Sequence, residues 1–120
     1  MKSDISRSFG CAIAGVIYAV KSQRNMKIHC FAALIAVMMG VGTGISSVEW
    51  LVLVLTISAV IVAELFNTAL EAAIDLVTAD YHPLAKTAKD VAAGAVLITA
   101  IMSVIIGSFI FLPKAGPLLW

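Results

Sequence analysis

Residues 48–80 read VEWLVLVLTISAVIVAELFNTALEAAIDLVTAD, and the folding of this stretch decides the rest. After Glu49, in what would be the first turn, the run is free of charge through Ala63. No glycine or proline interrupts it, so it predicts one helix over about 48–79. Trp50 stands at the depth where an aromatic ring anchors a span in the membrane interface. From Glu64 the sequence turns polar without breaking, so the helix should leave the bilayer and carry its last turns into the aqueous boundary.

Glu64, Asn67, Glu71 and Asp75 are spaced so that, at about 100° per residue, they project at about 0°, 300°, 340° and 20°. Three acids and an amide therefore share one narrow face. An ionisable group inside a span costs roughly 2.5 to 3.5 kcal/mol on insertion scales, so Glu64 at the membrane edge marks a functional site. Glu71 and Asp75 repel one another at i, i+4 and need a cation beside them, a metal or a lysine.

The rest of the chain fits a membrane protein. Of 120 residues, 62% are hydrophobic and 12% charged, more apolar surface than a soluble body of this size can enclose. Three spans fit the length, with one amphipathic element to spare. Ile28 to about residue 46 is free of charge and gives the first span, with Gly40, Gly42, Gly44, Ser46 and Ser47 as its exit and turn. That glycine run lacks the Lys-Ser/Thr of a phosphate loop and follows a helix, so it reads as a turn. Pro83 suits the first position of a third spanning helix with His82 at its cap, and Pro113 and Gly116 should stop that helix near Leu112. The small residues Ala92 to Ala95 permit close helix contact.

Over about 5–25, Phe9, Ala12, Ile13, Val16, Ile17 and Val20 form one apolar stripe between cationic ends, as in a helix lying on the membrane surface; a short fourth span is the alternative. Lys21, Arg24 and Lys27 stand where a signal peptide would need small residues, so the segment is expected to stay in the mature chain. Seven of the eight cations flank one side of the three spans, with only Lys114 beyond the third. This predicts a multi-pass protein of the cell inner (cytoplasmic) membrane, N-terminus cytoplasmic and C-terminus outside. A net charge of +1 argues against a nucleic-acid partner. Cys11 and Cys30 show neither a disulfide framework nor zinc spacing and read as small apolar fillers. Trp120, like Trp50, reads as an interface anchor, and His29 is placed at the polar edge of the first span with no chemistry assigned.

Lys86, Lys89 and Asp90 open the third span a short turn after Asp75, so antiparallel packing should set Lys89 beside the acidic face. Carboxylates, an amide and a lysine at a membrane edge are what a magnesium nucleotide site requires: hard oxygens for the ion and a point cation for phosphate. Two other readings stand beside it, a structural ion-pair network and a small proton-coupled membrane carrier. Carriers usually set an isolated carboxylate near mid-bilayer, whereas these charges gather at one boundary, which favours chemistry on a lipid.

The run Ala63 to Glu71, then Asp75, then His82 to Val96, resembles the signature of the small prokaryotic diacylglycerol kinase and undecaprenol kinase family. The pattern Glu-x-x-Asn-Thr-Ala-x-Glu-x-x-x-Asp followed by Ala-Lys-Asp carries the resemblance, which extends from about Phe9 to Leu112. Arg24 to His29 and the ending near Pro113 and Lys114 look more like the Gram-positive undecaprenol kinase branch. The resemblance implies an all-α integral membrane protein, a surface helix plus three transmembrane helices in a trimeric bundle, with active sites shared between subunits. It implies ATP and Mg2+ as cofactors and a lipid alcohol from the bilayer as acceptor, undecaprenol or alternatively diacylglycerol. By resemblance, Glu64 is the catalytic base and Asn67 orients it, while Glu71 is a metal ligand. Asp75 supports the nucleotide site, Asp80, Tyr81 and His82 contact the adenine and ribose, and Lys89 with Asp90 holds phosphates and nucleotide. The family's second metal-binding glutamate is replaced here by Gln23, whose amide oxygen is a weaker ligand.

Overall fold

The computed structural model describes residues 2–119, with side chains over residues 4–116; Trp120 and the side chain of Lys2 lie outside the described residues. The chain forms four helices, α1 (Lys2–Ser22), α2 (Arg24–Thr43), α3 (Ser47–Val77) and α4 (Pro83–Leu119). The last three are long and apolar enough to cross a membrane. The 31 residues of α3 rise about 46 Å, well past a hydrocarbon core of about 30 Å. Its polar third therefore has room to stand outside the core.

Local chemistry sets the boundaries. Gly44 ends α2 in the left-handed region at φ 65°, and its N–H and that of Ile45 both donate to the Gly40 carbonyl. Ser46 caps α3 through a capping box: its hydroxyl accepts from the Glu49 N–H, and the Glu49 carboxylate accepts from the Ser46 N–H. The α2–α3 turn is thus only Gly44 to Ser46. Gly40 and Gly42, expected in that turn, lie inside α2. Gly40 serves packing, because a Cβ there would sit 2.8 Å from Cη2 of Trp50. Trp50 is half-buried against α2, so its ring packs within the protein.

The expected stop at Pro113 and Gly116 is not where α4 ends; the helix runs through both to Leu119. Pro113 removes one backbone donor from the ladder. Next to it, Lys114 Nζ reaches Glu49 Oε2 at 2.8 Å and the Ile110 carbonyl at 3.3 Å, fastening this turn to the start of α3. A tertiary anchor overrides the local stop signal. Ile45, Leu53 and Ile110 form the small apolar core beside this anchor.

At the opposite end, Thr78 closes α3 and exchanges hydrogen bonds with Asp80. His82 caps α4 as expected, its Nδ1 accepting from the Leu84 N–H at 3.1 Å ahead of Pro83. Helix α1 touches both α2 and α3 and buries Ala19, while Phe9, Ile13 and Ile17 of its apolar stripe stay uncovered by protein.

Candidate functional site

The acidic face of α3 emerges as its spacing requires. Glu64 is almost wholly enclosed, with 1% of its side chain exposed, Asn67 is buried, Glu71 is half-buried and Asp75 is exposed. The face is therefore graded, from a sealed carboxylate to one in water. The Asn67 amide donates from Nδ2 to Glu71 Oε1 at 3.3 Å, so it turns toward Glu71 one turn on and not toward Glu64. The Thr68 hydroxyl returns to the Glu64 carbonyl at 2.9 Å and takes no part in the face.

Two buried oxygens, Glu64 Oε1 and Asn67 Oδ1, have no hydrogen-bond partner. Buried polar atoms are almost always paired, so an orphaned carboxylate oxygen points to a role other than stability. His29 Nε2 on α2 approaches Glu64 Oε1 to 3.2 Å without completing a hydrogen bond. Sequence reasoning gave His29 no chemistry. The signal lies in topology: the start of one span and the end of the next antiparallel span share a membrane edge, so His29 and Glu64 belong at one depth.

Lys89 meets the acidic face where expected, its Nζ 2.7 Å from Asp75 Oδ1, and supplies the cation that Glu71 and Asp75 need beside them. Asp90 pairs instead with Lys86 one turn back, at 2.6 Å. Asp75, Asp80, Tyr81, His82, Lys86, Lys89 and Asp90 line one cleft of about 270 Å³ between the end of α3 and the start of α4. All six residues expected to contact nucleotide are among them. Gln23 lies apart from this cleft, at the N-cap of α2, and its side chain makes no capping bond. Among the described residues, no three His, Cys, Asp or Glu side chains converge as a metal cage would require.

A second cavity, of about 420 Å³, is an apolar groove between α2, α3 and α4. Its walls run from Ile28 and His29 to Met39, with Leu53 to Ile61 and Ser103 to Phe111 on the other sides.

Residues 10–111 match the family described as prokaryotic diacylglycerol kinase. The chain is 44% identical to an undecaprenol kinase of Bacillus subtilis over 108 residues, covering 90% of this chain and 88% of that one. It is 47% identical to a diacylglycerol kinase of Synechocystis over 107 residues, covering 88% of this chain and 61% of the relative. A diacylglycerol kinase of Escherichia coli is 34% identical over 74 residues, 62% of this chain and 61% of that one. With its three apolar spans, its buried carboxylate and the acidic face leading to a lysine-bearing cleft, the chain belongs to the prokaryotic diacylglycerol kinase family of ATP-dependent membrane lipid kinases.

Proposed function

We propose that the protein transfers the γ-phosphoryl group of ATP to the terminal hydroxyl of undecaprenol, giving undecaprenyl phosphate. The observation that carries this reading is the buried Glu64 carboxylate at one end of a face whose other end is the Asp75–Lys89 cleft. A lipid hydroxyl approaching from the bilayer and a nucleotide approaching from water would meet along that face. Undecaprenol is preferred because the undecaprenol kinase relative is matched over nearly its whole length. Diacylglycerol is the second acceptor, favoured by the 47% identity to the Synechocystis diacylglycerol kinase. Membership of a kinase family leaves the proton-coupled carrier without support.

In this reading Glu64 accepts the hydroxyl proton as the lipid oxygen bonds to the γ-phosphorus and the bond from that phosphorus to the β,γ-bridging oxygen breaks, leaving ADP. The carboxylate acts mainly as a positioned base, because phosphoryl transfer is accelerated chiefly by alignment and charge neutralisation. Asn67 fixes Glu71 through its amide and keeps Oδ1 free. Asp75, Asp80, Tyr81, His82, Lys89 and Asp90 bind the nucleotide in the cleft they line.

Magnesium is usually held by one or two carboxylates together with substrate phosphates and water. Glu71 would hold the ion, with the free Oδ1 of Asn67 as a nearby oxygen and Gln23 in the place of a second carboxylate. Bound there, magnesium would neutralise charge on the transferring phosphoryl group. The positive-inside pattern supports a cytoplasmic N-terminus and an outward C-terminus. Wide apolar faces, including Phe31, Leu55 and Phe109, are uncovered in the single chain and suit a homotrimer with shared active sites.

Membranes expressing the chain, given labelled ATP and magnesium and offered undecaprenol and diacylglycerol side by side, test the proposal. Labelled undecaprenyl phosphate is expected. Label in phosphatidic acid alone would give the site to diacylglycerol, and no labelled lipid from either acceptor would overturn the kinase reading.

A further inference from the structure

His29 stands between two features that nothing else connects. Its Nε2 lies 3.2 Å from Glu64 Oε1, and its ring forms part of the wall of the apolar groove beside Ile28, Ala32 and Val60. Glu64 itself does not line that groove. An apolar chain seated between α2, α3 and α4 would therefore reach the imidazole before it reached the carboxylate. Glu64 Oε1 has no hydrogen-bond partner to fix it, and the Asn67 amide is committed to Glu71.

We infer that His29 is a positioning residue for the lipid kinase reaction: a cross-helix imidazole that holds Oε1 of Glu64 and presents Oε2 to an acceptor hydroxyl at the head of the groove. The contact joins α2 to α3, so it fixes the carboxylate from outside its own helix, where rotation about the Glu64 side-chain bonds would otherwise set its direction. A proton on Nε2 lets the ring donate to Oε1, and a small rotation of either group brings the present 3.2 Å contact into line. An error of about 1 Å in a reacting group can cost on the order of 100-fold in rate, so loss of this hold should appear in kcat. ATP binds in the cleft lined by Asp75 and Lys89, which His29 does not line, so its KM should stay nearly constant. The inference rests on Glu64 being the base.

The test compares wild type, His29→Leu and His29→Gln in lipid bilayers with undecaprenol as acceptor, and follows the imidazole 15N resonances of His29 in wild type and Glu64→Gln. His29→Leu should lose roughly 10-fold to 100-fold in kcat with the ATP KM within about two-fold. His29→Gln, whose amide still donates, should recover most of that loss. The His29 Nε2 resonance should move in Glu64→Gln, a readout that needs no turnover and decides the matter alone if His29→Leu does not assemble. Wild-type kcat in His29→Leu, equal losses in both variants, or an unmoved resonance would each overturn the inference. Turnover retained by Glu64→Gln would instead overturn the base assignment, while the resonance would still report the contact.

Discussion

Lys89 on α4 reaches back to α3 and sets its Nζ 2.7 Å from Asp75 Oδ1, closing the cleft where the two helices meet. Both side chains are well exposed, 40% and 63%, and a pair so open to water contributes little to stability. Its value is in placing a cation at the foot of the acidic face. Lys89→Met should raise the ATP KM at least about 10-fold, the scale of losing one charge-assisted phosphate contact, with the melting temperature nearly unchanged. Nucleotide titration and thermal melting of the purified variant check both halves; a fall in melting temperature with an unchanged KM would make the pair structural.

Gln23 offers an amide oxygen where related chains are expected to have a carboxylate, and it stands at the joint between α1 and α2. Gln23→Glu should lower the magnesium concentration giving half-maximal rate, because an anionic oxygen is the stronger ligand for a hard cation. A magnesium titration of kinase rate decides it, and an unchanged midpoint would remove Gln23 from the metal site.

Gly40 faces the Trp50 ring so closely that a Cβ would lie 2.8 Å from Cη2 and 3.1 Å from Ile45 Cδ1. Gly40→Ala should therefore destabilise the fold by roughly 1 to 3 kcal/mol, the usual cost of overpacking. Trp50→Phe in the same chain should recover part of the loss by vacating the space. Thermal unfolding of the two single variants and the double variant in one detergent measures the coupling.

Ser46 closes the capping box that starts α3. Ser46→Ala should cost about 1 kcal/mol, read as a lower melting temperature with little effect on ATP KM, since this cap lies at the end of α3 away from the Asp75–Lys89 cleft.

These residues also show where the sequence was readable. The stripe from Glu64 to Asp75 and the His82–Pro83 start of α4 follow from helical period and capping chemistry, both local, and the structure places them accordingly. Gly40 and Pro113 mislead because their local preferences, for a turn and a stop, yield to partners far along the chain: the Trp50 ring and the Lys114–Glu49 anchor. His29 is silent in sequence for the same reason. Its partner lies on another helix, and neither motif nor period links the two.

In the proposed reaction Glu64 takes the proton from the lipid hydroxyl. Glu64→Gln keeps the size and the enclosure of the side chain while removing its capacity as a base. Measured in bilayers with labelled ATP, magnesium and undecaprenol, the variant should show no lipid phosphorylation above background while still binding ATP with an affinity close to wild type. Retained turnover in Glu64→Gln would rule out Glu64 as the base.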